Sequence, residues 1–181
     1  MAETETAETS PLELTPPQVA VLLGASTAAL RAELDAAPEA VLRYHPAAGQ
    51  WCAKEVLGHL IEAERRGFAG RVRLILAANA PPLETWDQDE VARGRGDCER
   101  GIAELLGEFL ALRNSGVALV RGLGPEDLDR VGRHPKVGDL RVRDLLHEWI
   151  HHDRNHLKQM MTNVQAYTWP HMGNAQRFSA P

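Results

Sequence analysis

Apolar residues recur at helical spacing in four long stretches of the chain, and polar segments rich in proline or glycine separate them. The first stretch opens at "TPPQ", where Thr15 stands as a cap and the prolines fit the first turn. Val19, Leu22, Leu23, Leu30 and Leu34 follow at helical spacing, and the helix is predicted to end near "DAAPEA". After the connection "YHPAAGQ", a second helix begins at "WCAKE" and runs to about Ala78. With Cys52 as its cap, Glu55 falls at the capping-box position, and Trp51 and Val56 take the two hydrophobic-staple positions. "NAPPLETWDQD" reads as a loop. A third helix is predicted over 97–121, with Ile102, Leu105, Leu106, Phe109, Leu112, Val117 and Val120 facing inward. The connection "GLGPEDLDRVGRHPKVG" carries one short turn at "PEDL", and a fourth helix is predicted over 139–166. No strand pattern stands out. The expected organisation is a flexible segment over 1–14, a bundle over 15–166 and an irregular tail over 167–181.

Four long amphipathic helices without strands predict an all-α protein, an antiparallel four-helix bundle. A chain of 181 residues can bury one proper core. Its net charge of −5, with no Lys/Arg block, argues against electrostatic binding of nucleic acid. Two cysteines without CxxC spacing make neither a disulfide framework nor a thiolate zinc motif, and they suit a reducing cytoplasm. "MAETETAETS" lacks the apolar core of a signal peptide. No apolar run approaches the roughly 18 residues of a membrane span.

The chemistry concentrates in "HEWIHHDRNHLKQ", residues 147–159, which holds four of the eight histidines. On a helical wheel the apolar arc of this helix is built from Val142, Leu145, Leu146, Trp149, Ile150, Leu157, Met160, Met161 and Val164. His147 and His151 fall on the far side and read as surface residues. His152 and His156 fall at the edge of the arc. Each pair has the i, i+4 spacing that permits chelation, but only the second pair also points inward, towards a ligand from another helix. His59, in "EVLGHLIEAE", is the third candidate; it lies off the main stripe, near the edge formed by Trp51 and Ala63. Histidine pairs at this spacing are also common on solvated helix faces. His45, His134 and His171 lie in connections and carry no signal. Asp153 falls in the middle of the apolar face, where an unpaired carboxylate is costly. It is expected either to make a structural hydrogen bond inside the bundle or to anchor a histidine from behind.

Three segments together resemble the DinB/YfiT-like superfamily: "WCxxEVLGHL" at 51–60, "WD" at 86–87 and "GDLxVxDLLxEWIxHDxNHLxQ" at 138–159. The resemblance covers most of residues 15–166. It implies a four-helix bundle with an up-down-down-up course and a long crossover. It also implies a divalent metal, nickel or zinc, held by three histidines, which by position are His59, His152 and His156. Members of this superfamily often form homodimers. The chain departs from the pattern in two places. Cys52 stands where Ser is usual, and Arg141 where Thr is usual, so capping of the last helix is expected to shift to Asp139. Cys52 is either a thiol activated at a helix N-terminus or a small buried residue.

Three imidazoles leave an open coordination position, which suits chemistry on a small-molecule substrate. Relatives of this fold include S-transferases and isomerases that use low-molecular-weight thiols such as bacillithiol or mycothiol. The first expectation is therefore a transferase in which the metal holds a cofactor thiol as thiolate for attack on an electrophile. Glu55, Glu62 and Glu148 are candidate proton carriers, with Glu55 also the capping-box residue. Glu55 and Asp153 are the candidates for a supporting role behind the ligands. The second expectation is a hydrolase using metal-bound hydroxide, although no base comparable to the Glu of HExxH is present. The third is a non-catalytic stress or ligand-binding bundle in which the metal staples the second helix to the fourth.

Overall fold

The computed structural model describes residues 12–179, so most of the expected flexible segment 1–14 lies outside the described residues. Eight α-helices and one β-hairpin are described: α1 (Pro16–Ala36), α2 (Glu39–Leu42), α3 (Ala53–Glu62), α4 (Ala69–Ala77), α5 (Gln88–Arg95), α6 (Ile102–Arg121), β1 (Val131–His134), β2 (Gly138–Arg141), α7 (Val142–Thr168) and α8 (Gln176–Ser179). The bundle consists of α1, the α3–α4 pair, α6 and α7. Both α1 and α3 pack against α6 and α7, so α1 and α3 stand on one diagonal.

Two apolar clusters give the direction of each helix. One joins Val19 and Leu23 of α1, Val72 and Ile75 of α4, Val120 of α6 and Val142, Leu146 and Trp149 of α7. The other joins Leu30 and Leu34 of α1, Val56 and Leu60 of α3, Leu105 and Phe109 of α6 and Met160 of α7. The chain thus passes from the first cluster to the second along α1, back along α3–α4, back again along α6, and forward along α7. That is an up-down-down-up bundle, and the third helix can only run parallel to the second because residues 78–101 carry the chain back across its length.

A charged layer separates the clusters. Arg113 of α6 is buried and donates to both carboxylate oxygens of Asp153, at 2.6 and 2.8 Å. It also donates to Glu64 Oε1 at 2.9 Å, and the Trp149 indole N–H reaches the same oxygen at 2.7 Å.

Helix entries follow the sequence closely. The Thr15 N–H donates to Gln18 Oε1 at 2.9 Å, and the Cys52 N–H donates to the Glu55 carboxylate at 2.8 Å, each completing one half of a capping box. At α7 the box is closed by Asp144, which accepts from the Arg141 N–H at 2.9 Å. Asp139 does not cap, because it lies in β2.

The departures are local. The predicted second helix is interrupted by a π-turn, Ala63–Gly67, closed by the Phe68 N–H on the Ala63 carbonyl at 2.7 Å. The start of the predicted third helix is a separate 3-10 turn, Asp97–Glu99. The predicted loop continues into α5, capped by the Asp87 carboxylate at its N-terminus and closed by Gly96 at φ 61°. The long connection to the last helix contains the 3-10 turn Pro125–Asp127 and also an antiparallel hairpin, in which Val131 pairs with Arg141 and His134 with Gly138. The hairpin occupies residues 138–141, so α7 starts at Val142 rather than 139. Beyond Thr168 the chain continues in the turns Trp169–His171 and Gly173–Ala175 and in α8. Among the described residues, no helix is long and apolar enough to cross a membrane.

Candidate metal site

His59 sits in the second turn of α3, and the i, i+4 pair His152 and His156 faces it from α7. One ring nitrogen from each lies within 4.8 Å of the other two. His59 Nε2 and His152 Nε2 stand 3.0 Å apart. The rings crowd together, with centroids 4.4 to 5.0 Å apart. Trp51 covers His59 at 5.0 Å, and Phe68 meets His152 edge-on at 5.1 Å.

This apolar cover sets the protonation. Burial, and then the neighbouring His156, push His59 down to about 4. Burial, followed by His156 and His59, pushes His152 down to about 3. Burial lowers His156 as well. All three rings are therefore neutral near pH 7, the state in which an imidazole nitrogen can ligate.

One observation tests whether these residues suit a cation. Two neutral Nε2 atoms at 3.0 Å can share only one proton between them, and a cation offers lone pairs of both rings a common partner. The donor set fits, and three imidazoles without a carboxylate suit nickel or zinc better than magnesium or calcium.

The supporting residues differ from those expected. His156 Nδ1 lies 2.9 Å from Gln159 Oε1, so this ring N–H donates to Gln159 and its other nitrogen is left as acceptor. Asp153 takes the structural alternative, with its described hydrogen bonds going to Arg113. Glu55 stands at the start of α3, bonded to the Cys52 N–H and 2.8 Å from His45 Nε2. Glu62 is held by Arg65, Arg66 and Arg95. The outer pair stays apart from the group. His147 Nδ1–H donates to the Arg143 carbonyl and Nε2 accepts from the Leu14 N–H, while His151 is exposed beside Asn155.

His59 and His152 also form part of the wall of a cavity of about 940 Å³. Its other walls come from α4 (Arg71), the segment before α5 (Trp86, Asp87), the hairpin (His134, Lys136, Val137) and the first turns of α7 (Asp144, Glu148). The segment and the hairpin are tied together, as Leu83 N–H donates to the Arg133 carbonyl and Arg133 N–H to that of Pro81, both at 2.8 Å. Glu148 is the one proton-carrier candidate of the three that lines the cavity, one helical turn before His152. Arg71 stacks over Trp86 at 5.2 Å, and its Nε is buried without a partner among the described residues. Helical periodicity marks none of Arg71, Trp86, His134 and Lys136, which come from connections and a helix flank, and Trp86 stands out only through the "WD" of the family resemblance.

Comparison with known proteins agrees with this architecture. The DinB superfamily matches residues 22–160. A protein of Oceanobacillus iheyensis, provisionally named a metal-dependent hydrolase, is 24% identical over 121 residues, which is 67% of this chain and 69% of the relative. YuaE of Bacillus subtilis is 28% identical over 141 residues, 71% of this chain and 86% of YuaE. Among solved structures, YfiT from Bacillus subtilis superposes with a TM-score of 0.78 at 18% identity, covering 91% of this chain and 96% of YfiT. YfiT is described as a probable metal-dependent hydrolase with an unusual four-helix bundle topology. A Clostridium difficile 630 protein superposes at 0.65 and 11% identity, covering 86% and 98%.

Proposed function

We propose that this chain, which belongs to the DinB superfamily, is a metal-dependent transferase that joins a low-molecular-weight thiol to a small electrophile at His59, His152 and His156. The observation that carries this reading is the cavity against the histidines. At about 940 Å³ it lies near the upper end of ordinary ligand sites and has room for two reactants. A purely structural ion would have no need of such a space beside it.

A nickel or zinc ion held there would lower the pKa of a thiol or water drawn to it and so supply a nucleophile near neutral pH. The chain's own residues do the rest. Gln159 fixes the ring of His156. Trp51 and Phe68 keep water from the backs of the His59 and His152 rings. Arg71 and Lys136 offer positive charge to an acidic group on either reactant, and Arg71 is pre-oriented by Trp86 and by its bond to the Glu84 carbonyl at 2.9 Å. Glu148, at the cavity wall, takes up the proton that the nucleophile releases.

A second reading, hydrolysis with water as nucleophile, is favoured by the names carried by the Oceanobacillus protein and YfiT. In that case Glu148 serves as the base. The test is turnover by protein loaded with zinc or nickel, assayed with and without an added thiol. Thiol-dependent turnover is expected, and H59A, H152A and H156A should each lose it together with one equivalent of bound metal. Turnover that needs no thiol would replace the transferase by the hydrolase. Metal content unchanged in all three variants would sink the site assignment itself. Metal-dependent thermal stabilisation with no turnover on any substrate would leave the ion as a staple between α3 and α7.

A further inference from the structure

A second group of metal-ligating side chains stands at the start of α3, away from the three histidines. Cys52 caps the helix and is fully buried. Cys98 lies in the 3-10 turn Asp97–Glu99, and His45 in the connection after α2. One donor atom from each lies within 4.8 Å of the other two. The sulfurs are 3.1 Å apart, with the Cys52 thiol donating to Cys98. Glu55 Oε2 is 2.8 Å from both His45 Nε2 and the Cys52 backbone nitrogen, so it holds His45 beside the pair as a hydrogen-bond partner. These are the only two cysteines of the chain, separated by 46 positions, and the fold brings them into contact.

We propose that His45, Cys52 and Cys98 form a second metal site that takes a thiophilic divalent cation of the zinc class. Two sulfurs and one imidazole are a donor set that zinc accepts, with the fourth position left to water. A tetrahedral shell with metal–sulfur bonds of about 2.3 Å separates two sulfurs by roughly 3.8 Å. The pair must therefore open by well under 1 Å, which a small rotation of the partly exposed Cys98 side chain provides. A disulfide would instead close the sulfurs to about 2.05 Å and would leave His45 unused. The site would clamp the connection after α2, the first turn of α3 and the 3-10 turn together, two helical turns from His59 on the same helix. It is chemically distinct from the all-nitrogen group and does not depend on the function proposed for it.

Cobalt(II) binding to the reduced, full-length protein tests this, because cobalt–thiolate bonds give an intense near-ultraviolet charge-transfer band that imidazole ligands do not. The band is expected in the wild type. C52S and C98S should each lose the band together with one equivalent of cobalt. Serine at position 52 keeps a capping oxygen, and unchanged helical circular dichroism verifies the fold of each variant. The band should persist in the H59A/H152A double variant, which separates the two sites. Absence of the band from reduced wild type, its survival in both cysteine variants, or its loss in the histidine double variant would each overturn the proposal. So would a pair of cysteines that mass spectrometry finds oxidised to a disulfide which reductant leaves intact.

Discussion

Neighbouring residues on α7 meet opposite fates, and the side chains facing them decide which. His152 is neutral and has a ring nitrogen without a partner, whereas Asp153 is fully buried and doubly bonded to Arg113. Arg113 also serves Glu64, which burial pushes up to about 7 against the pull of that guanidinium. Removing Asp153 leaves Arg113 buried with one carboxylate that is itself poorly solvated. D153A is therefore expected to cost about 3–5 kcal/mol, read as a fall in the urea midpoint at unchanged slope. A loss below 1 kcal/mol would mean that water reaches the pair. Glu148 gives the complementary case, as a carboxylate without a structural bond among the described residues, at the cavity wall. E148Q should keep the fold and the bound metal and lower kcat by about 10²–10⁴. Equal kcat in E148Q and wild type would remove Glu148 from proton transfer.

At the scale of the elements, close packing depends on small residues where helices cross. A Cβ on Gly116 of α6 would come within 2.7 Å of the Trp149 ring on α7, and Trp149 is pinned by its bond to Glu64. G116A is expected to destabilise by about 1–3 kcal/mol, seen as a lower Tm. A Tm equal to the wild type would show that the indole can shift without losing Glu64. The same elements show how far the sequence could be read. The bundle and its helix entries were legible because buried positions such as Leu23, Leu30, Leu57 and Leu146 recur at helical spacing, and because caps use side chains three residues apart. The π-turn was not, since Leu57, Ile61, Phe68, Val72 and Ile75 keep helical spacing across it. The hairpin left no alternating pattern, because Gly132 is its one buried position, and the bonds from residues 81–83 that hold it are long-range. The helix α5 has only Ala92 buried, so it carries no apolar stripe, and only its bracketing Asp87 and Gly96 mark it in the sequence. In the site, helical spacing and the family resemblance selected the three histidines that the fold brings together. The cavity walls needed the fold, because they come from separate segments, whereas Gln159 stands three residues from His156 on the same helix, a spacing the sequence carries.

For the whole molecule, the histidine group ties stability to pH and to metal in a direction that burial sets. Unfolded histidines titrate near 6.5, whereas folded His59 and His152 titrate near 4 and 3. Between these values the unfolded chain binds more protons than the folded one, so stability rises with pH there. The contribution is complete above about 6.5 and is lost as pH falls through 4 towards 3. Carboxylates paired with arginine, such as Glu108, which its arginines hold down at about 2, add their own loss at the acid end. The histidine part is isolated by comparison. The Tm of metal-free wild type should fall more steeply between pH 7 and pH 4 than that of H59A/H152A, in which two of the three rings are gone. Parallel curves would show that these rings are hydrated and titrate normally. A cation needs the same neutral rings and binds only the folded arrangement, so nickel or zinc should raise Tm at pH 7.5 and do so progressively less as pH falls towards about 4, where His59 protonates. In H59A/H152A any metal-induced rise that remains must come from other donors, and a remainder abolished by C52S would locate it at the cysteines.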